Sequence, residues 1–366
     1  MEKIISEKAN AFSEEGHNVY IITADQKNRK AFYRLNNNIK LIDLGINYSE
    51  DITILAKLIK YKYKIEKHKR RLSNILYEIR PDITISTMGN EFLFLYKIKD
   101  GSKKILEIHF AKGYRMMYNR NIFWKFFDYI RSLQESKLVS KYDKFVVLTY
   151  EDKVQWGNLT NIEVIPNFID LEENYHSIKN KTHILLAVGR LSYQKGFDRL
   201  IKAISLISDK LKDWEVHIYG DGELKKDLQS MINDYNLNKY IKIFPATKDI
   251  KSVYMTSSGF ILSSRFEGLP MVLLEALSYS LPIISFDCPC GPKDIINDGV
   301  NGILIKNDNI EELASAILDY IHNPELREKL SIEAYNSVFR FKKNNVINKW
   351  LVFFEKEIST TSFQSN

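Results

Sequence analysis

Short apolar runs alternate with amphipathic stretches along most of the chain. In the first 150 residues, Ile4, Ile5, Ala9 and Phe12 recur at helical spacing and predict a helix over residues 2–15. Apolar runs of buried-strand type follow at Val19–Thr23, Ile39–Leu44, Asp82–Ser86, Lys104–His109 and Phe145–Thr149.

The alternation starts again after the turn residues of the segment 165–170. Predicted strands there are His183–Val188, Trp214–Tyr219, Ile241–Phe244, Gly259–Ser263, Pro282–Phe286 and Ile303–Ile305. Predicted helices are Phe197–Ile207, Glu223–Tyr235, Ile250–Thr256 and Met271–Tyr279. Strands that alternate with helices predict two doubly wound α/β domains, with a ligand site in the cleft between them.

The predicted domains are residues 1–166, residues 167–343, and a C-terminal helix and tail over 344–366 that packs back on the first domain. The chain is 45% hydrophobic and 27% charged, has a net charge of +7, and opens without a secretory signal, which predicts a cytoplasmic protein. Cys288 and Cys290 are too close for a good disulfide and too few for a zinc site.

The segment from Val188 to Phe197 joins a predicted strand to a predicted helix and carries two cations, Arg190 and Lys195. Cations beside a helix N-terminus suit a diphosphate. Taken alone, both could equally be solvated loop cations.

A second segment runs from Ser263 to Glu275, with Glu267-Gly268-Leu269-Pro270 at a strand-to-helix turn. Glu267 and Glu275 lie before and inside the predicted helix, and Pro270 stands near its first position, where proline is tolerated. The carboxylates could reach sugar and ribose hydroxyl groups, with free backbone N–H groups between them.

These segments occur in a fixed order with Gly220–Leu224 and Asn297–Gly302. The set resembles the family-4 retaining glycosyltransferases of GT-B fold that build bacterial surface polysaccharides, and Phe286–Ile296 resembles one bacterial branch of that family. The resemblance implies a hexosyltransferase that is metal-independent and needs no cofactor besides its donor substrate, a nucleotide-diphosphate sugar, by family habit a UDP-sugar.

The resemblance also implies the roles of individual residues. Arg190, Lys195, Gly268 and Leu269 would bind the donor diphosphate, and Glu275 would bind ribose. The residues expected to face the transferred sugar are His109 and Glu267, although His109 could instead be a satisfied loop histidine.

The acceptor side is expected to carry a lipid-linked saccharide or glycan. Two basic stretches with apolar residues, Lys57–Leu72 and Lys112–Arg131, could rest on an anionic membrane, which predicts a peripheral position on the inner face of the plasma membrane. A solvated basic helix face with ordinary core aromatics explains them as well. No motif supports nucleic-acid binding.

Relatives in that family begin with an apolar strand and a Gly-Gly loop before the first helix. The resemblance therefore implies that the first domain lacks its first strand and that the chain is truncated, with an inactive glycosyltransferase as one alternative. A sugar-nucleotide epimerase of similar shape is another, and it would turn over donor without any acceptor.

Overall fold

The computed structural model describes residues 2–27, 29–48, 54–171, 177 and 181–362. These residues form an N-terminal half and a C-terminal half, each built on parallel strands with helices packed against them.

The N-terminal half contains two separate parallel sheets. Its elements are α1 (Glu2–Glu14), β1 (Tyr20–Thr23), β2 (Lys40–Asp43), α2 (Ile54–Ile79), β3 (Ile83–Ser86), β4 (Lys103–Glu107), α3 (Ile122–Val139), β5 (Lys144–Val147), α4 (Tyr150–Trp156) and β6 (Ile162–Val164). Strands β1 and β2 form one sheet, and the other has the order β3-β4-β5-β6. Within the described residues, no strand joins the two sheets.

The C-terminal half contains one six-stranded parallel sheet of order β12-β11-β10-β7-β8-β9. Its elements are β7 (Ile184–Val188), α5 (Phe197–Ser205), β8 (Glu215–Tyr219), α6 (Lys225–Asp234), β9 (Ile241–Phe244), α7 (Ile250–Thr256), β10 (Gly259–Leu262), α8 (Met271–Ser278), β11 (Ile283–Asp287), α9 (Pro292–Ile295), β12 (Gly302–Lys306), α10 (Ile310–His322) and α11 (Pro324–Val338). Read from β9, the first strand of this half lies between its second and fourth strands, as in the doubly wound nucleotide-binding fold.

The last helix, α12 (Lys343–Ser362), returns to the N-terminal half. Its Trp350 is fully buried against Phe12 of α1, with the ring centroids 6.1 Å apart. Val346 and Ile347 pack in the same apolar cluster, together with Ile105 of β4. A long apolar helix face thus covers one side of the N-terminal strands.

The chain passes between the two halves at two adjacent places. Ile169 lies on the outward passage and Lys342 on the return. The two residues form a parallel bridge, in which the Ile169 N–H donates to Phe341 (2.9 Å) and the Lys343 N–H donates to Ile169 (3.2 Å). The two covalent links between the halves are therefore hydrogen-bonded to each other.

The apolar runs predicted most of these strands, and the central strands β4, β5, β10 and β11 are buried along nearly their whole length, as parallel strands covered on both faces are. The strand predicted over Lys104–His109 is wrong at its end, since β4 stops at Glu107. The Ile108 N–H still donates to Val146, but His109 leaves the ladder toward the C-terminal half. Pro270 is the N-cap residue of α8, directly before the first helical position.

Candidate active site

The loop between β7 and α5 packs directly on the end of β10. Gly196 has φ +61°, and a Cβ atom there would lie 2.2 Å from the carbonyl oxygen of Ser263. The Ser263 hydroxyl in turn donates to the Lys195 carbonyl at 3.0 Å. A side chain at position 196 would push the two loops apart, so glycine is what allows the loop after β7 to meet the loop after β10.

This close packing sets Lys195 beside Glu267. The ammonium group lies 2.7 Å from the Glu267 carboxylate, and the Ser264 hydroxyl donates to the same oxygen at 2.6 Å. The Glu267 side chain is 6% exposed and that of Lys195 is 17% exposed. The aliphatic stem of Lys195 lies over Gly189, where a Cβ atom would be 3.2 Å away. A cation and an anion are therefore held together at the carboxyl ends of β7 and β10.

Gly268 is where this loop touches the N-terminal half. A Cβ atom on Gly268 would lie 2.8 Å from the carbonyl oxygen of His109 and 3.2 Å from the Cα of Phe110. Leu269 is buried, and Pro270 precedes α8, whose first backbone N–H groups have no partner within the helix. The amino end of α8 thus opens beside both the Lys195–Glu267 pair and the loop that follows β4.

Glu275 lies on α8 and is half-buried. The Tyr254 hydroxyl donates to its carboxylate at 2.9 Å. Burial raises the pKa of Glu275, and the hydrogen bond from Tyr254 opposes that rise. One carboxylate oxygen is therefore fixed by the protein.

Arg190 forms an ion pair with Glu223 rather than with Glu267. Its guanidinium is 3.3 Å from the Glu223 carboxylate, and both side chains are exposed. Burial raises the pKa of Tyr118 in the N-terminal half, and the charge of Arg190 acts against that rise. Tyr118 also packs edge-on against Phe266, with centroids 5.0 Å apart. Arg190 therefore lies close enough to Tyr118 of the N-terminal half to act on its charge.

His109 is nearly buried, with Nε2 3.3 Å from the Glu107 carboxylate but without hydrogen-bond geometry. Burial lowers the pKa of His109, although the charge of Glu107 opposes the change. Glu107 is fully buried and bonded to Lys8 of α1. Burial alone would raise the pKa of Glu107, but Lys8 and His109 outweigh it and the pKa is lowered. No local sequence pattern predicts this Lys8–Glu107 pair, because its partners are 99 residues apart.

Two further arginines hold the site loops in place. Neither was predicted from the sequence as a site residue. Arg265 forms a two-pronged ion pair with Asp198 (2.8 and 2.6 Å) and donates to the Tyr193 carbonyl at 2.8 Å. Arg199 is buried and donates to the carbonyls of Ser263 and Ser264. Planar guanidinium groups suit such multiple contacts, so these residues position the loop that carries Glu267.

The halves also meet at the turn after β11. The Asp294 carboxylate accepts from the backbone N–H groups of Tyr150 (2.7 Å) and Glu151 (3.2 Å), and Glu151 accepts from the Cys290 N–H at 3.0 Å. Cys288 and Cys290 are both buried free thiols. Cys290 thus belongs to a contact between the halves, whereas Cys288 packs in the apolar core of the C-terminal half, and the two form no disulfide.

Among the described residues, no group of three or more His, Cys, Asp or Glu side chains is arranged to share a metal ion. Within the same part of the chain, no helix combines the length and hydropathy needed to cross a bilayer.

The basic stretch predicted over Lys57–Leu72 lies on α2, and the side chains of residues 54–59 are outside the described part. Lys64, Lys67 and Arg71 reach the carbonyls of residues 44–47, so these cations hold a loop of their own half. The other stretch continues into α3, which exposes a dense apolar face. Its exposed large side chains are Ile122, Phe123, Trp124, Phe126, Phe127, Tyr129, Ile130 and Leu133.

Two α/β halves that face each other across a cleft define a GT-B fold, and similarity to solved structures supports it. A mutant of S. aureus TarM, crystallised with fondaparinux, α-GlcNAc-glycerol and UDP, superposes with a TM-score of 0.66 at 24% identity. The alignment covers 78% of this chain and 58% of TarM. The predicted GT-B fold class is thus confirmed.

The C-terminal half also has sequence similarity to a known protein family. Residues 169–337 match the family described as glycosyl transferases group 1. An uncharacterized glycosyltransferase of Haemophilus influenzae is 28% identical over 358 residues, covering 95% of this chain and 94% of its own. The amylovoran biosynthesis glycosyltransferase AmsD of Erwinia amylovora is 34% identical over 217 residues, covering 57% of this chain. The aligned part is 61% of AmsD.

Proposed function

We propose that this chain is a retaining glycosyltransferase of the family-4 type. It would transfer a hexosyl group from a UDP-sugar to a lipid-linked saccharide or glycan in the synthesis of a bacterial surface polysaccharide. The observation that carries the proposal is the convergence of Lys195, Glu267 and the amino end of α8 where Gly268 meets His109. UDP in the TarM complex and the amylovoran biosynthesis in the name of AmsD support the choice of donor and product.

The leaving diphosphate gains negative charge as its bond to the anomeric carbon breaks. In the proposed complex Lys195 binds this diphosphate beside the free N–H groups of Gly268 and Leu269, where the dipole of α8 adds to the attraction. Arg190 moves from Glu223 to the same diphosphate, a change that costs little because the Arg190–Glu223 ion pair is exposed.

The remaining residues bind the rest of the donor. Glu275 accepts from the ribose hydroxyl groups through the oxygen that Tyr254 leaves free, and Glu267 binds the hydroxyl groups of the transferred sugar. His109 faces that sugar from the other half and is uncharged at neutral pH, since burial lowers its pKa. No protein nucleophile takes part. The acceptor oxygen bonds to the anomeric carbon on the face that the diphosphate leaves, and a phosphate oxygen takes the acceptor proton.

The first test is donor binding by Lys195→Ala, with Lys202→Ala as the matched control. Lys202 is an exposed lysine of α5, outside the site. Isothermal titration with UDP should show at least about tenfold weaker binding for Lys195→Ala and no change for Lys202→Ala. Equal weakening in both variants would contradict the assignment.

The second test concerns the chemistry. Proton NMR of the product should show the anomeric configuration of the donor, and turnover should persist in excess EDTA. An inverted product would contradict the retaining mechanism, and complete loss in EDTA that Mg²⁺ restores would contradict metal independence. Release of an epimerised sugar without acceptor would favour an epimerase.

The exposed face of α3 supports peripheral binding to an anionic membrane, where a lipid-linked acceptor lies. Phe123, Trp124 and Phe126 are each more than half exposed, and Lys125 lies among them. Aromatic and basic side chains together suit the bilayer interface. Co-sedimentation with anionic vesicles should fall for Phe123→Ser/Phe126→Ser, but not for Leu206→Ser, an exposed leucine of the other half. Equal binding to neutral vesicles would contradict the proposal.

A further inference from the structure

The side of β4 that leads to the site histidine also carries a buried carboxylate. Side chains of an extended chain alternate between two faces. Ile105 packs with α1 and α12, whereas Leu106 and Ile108 pack in another apolar cluster of the N-terminal half. Glu107 and His109 therefore lie on the same side as Ile105, and their side chains meet there.

One oxygen of Glu107 faces two nitrogen atoms. Its Oε1 accepts from the Nζ of Lys8, and the Nε2 of His109 lies 3.3 Å from the same oxygen. The side chains of Glu107, Lys8 and His109 are 3%, 6% and 7% exposed, so water screens their charges poorly. Lys8 is also held by α12, because its Nζ lies 4.5 Å from the centroid of the Trp350 ring. Side chains of α1, β4 and α12 thus meet beside the imidazole of His109.

The Glu107 carboxylate selects which nitrogen of a neutral His109 carries the proton. A neutral imidazole has one N–H donor and one acceptor nitrogen. With the proton on Nδ1, the lone pair of Nε2 would face a carboxylate oxygen, and two acceptors repel each other. The distance of 3.3 Å is within hydrogen-bond range although the angle is not, so a turn of the ring completes the bond. The proton is therefore favoured on Nε2, which leaves Nδ1 as an acceptor.

Lys8 meets a second requirement, which is that His109 stays uncharged. A buried carboxylate beside His109 favours the imidazolium form, in which both ring nitrogens are donors. Burial lowers the pKa of His109, the charge of Glu107 raises it, and the charge of Lys8 lowers it again. Lys8 therefore balances the carboxylate, and the ring keeps its acceptor nitrogen.

We propose that Glu107 and Lys8 are positioning residues for His109. Glu107 holds the proton on Nε2 and Lys8 balances the charge of Glu107, so that Nδ1 accepts a hydrogen bond from a hydroxyl group of the transferred sugar. The inference rests on the proposed function for the identity of this ligand. The state of the ring in the free protein follows from the three side chains alone.

The test reads that state by ¹⁵N NMR of the full chain labelled at histidine, with His109→Gln to assign the signals. In the wild-type protein at neutral pH we expect a neutral ring with the proton on Nε2. Lys8→Met should give an imidazolium at the same pH, because the carboxylate then lacks its cation. In Lys8→Met/Glu107→Leu the ring should be neutral and should no longer favour the proton on Nε2.

The matched control is a second buried pair, Lys104 of β4 with Asp100, whose side chains are 4% and 0% exposed. Lys104→Met/Asp100→Leu should keep the wild-type ring state and the wild-type kcat. Lys8→Met/Glu107→Leu should lower kcat at least about tenfold and leave the affinity for UDP unchanged, because His109 faces the sugar rather than the nucleotide. A purely structural role would lower kcat equally in the two double variants.

A proton on Nδ1, or an imidazolium in the wild-type protein at neutral pH, would overturn the proposal, and so would equal losses of kcat in the two double variants. The double variants leave no unpaired buried charge, so they carry the test if Lys8→Met does not fold. Failure of the proposed function would appear separately, as unchanged UDP affinity in Lys195→Ala, and would leave the ring state of the free protein as it is.

Discussion

Gly268 and His109 belong to different halves of the molecule, yet a methyl group on Gly268 would lie 2.8 Å from the His109 carbonyl oxygen. Carbon and oxygen do not approach so closely without displacement. The Glu267–Leu269 turn and the loop after β4 can therefore pack this closely only because residue 268 has no side chain. The distance between the proposed donor site and His109 depends on this contact.

Gly268→Ala should therefore reduce activity more than stability. Moving His109 by about 1 Å from the sugar would lower kcat/KM by about tenfold to a hundredfold. Gly101→Ala is the control, since a Cβ there meets nothing within 4 Å although φ is +96°. It should lower the free energy of unfolding by about 1 kcal/mol with no change in kcat/KM. Similar kinetic losses in both variants would contradict the idea.

Lys195 and Glu267 should be coupled energetically. Removing either partner leaves a nearly buried charge, so a double-mutant cycle with alanine, measured by urea denaturation, should give a coupling of about 1–2 kcal/mol. The exposed pair Lys225–Asp221, 3.3 Å apart, is the matched control and should give less than about 0.5 kcal/mol. A coupling near zero for Lys195–Glu267 would mean that solvent screens the pair.

Tyr254→Phe should weaken donor binding through Glu275. The variant loses the hydrogen bond that orients the carboxylate, which should cost about 1 kcal/mol of stability and raise the KM for the donor several-fold. Tyr320→Phe loses a comparable buried hydrogen bond, to the Ser258 carbonyl. Steady-state kinetics should show an unchanged KM for that control. An unchanged KM in Tyr254→Phe would argue against ribose binding at Glu275.

Asp152 should make stability depend on pH. Burial raises the pKa of this carboxyl to about 6, above its ordinary value of 3.8. The folded state therefore holds the proton more tightly, and the free energy of unfolding should fall as pH rises from about 4 to 6, by about 3 kcal/mol. Asp152→Asn should remove this slope, whereas the exposed Asp234→Asn should keep it. Urea unfolding at several pH values measures both, and a slope that survives in Asp152→Asn would contradict the assignment.

The sequence predicted the C-terminal half closely because its central strands β7 and β10 are continuous apolar runs between helices. The loops after β7 and β10 could be located for the same reason, since glycine and proline mark where such runs end. Gly196 and Gly268 are required by contacts with Ser263 and His109, which the sequence places far apart and could not reveal.

The ion pairs were the part of the structure that was least predictable from the sequence. Lys195 and Arg190 were predicted to bind a diphosphate, and the sequence did not predict their ion-pair partners, which are Glu267 and Glu223. The buried Lys8–Glu107 pair joins α1 to β4 across 99 residues. Such pairs depend on tertiary packing rather than on local periodicity, so no window of sequence contains both partners.

The bridge between Ile169 and Lys342 has a mechanical consequence. Both covalent links between the halves run through this one place, so a rotation that opens the cleft must turn about it as about a hinge. Atoms near this axis would move little, whereas the rim farthest from it would swing widest. Opening of the cleft to admit the donor would then have to break the hydrogen bonds between the Asp294 carboxylate and the amino end of α4. The free energy of these bonds opposes each opening.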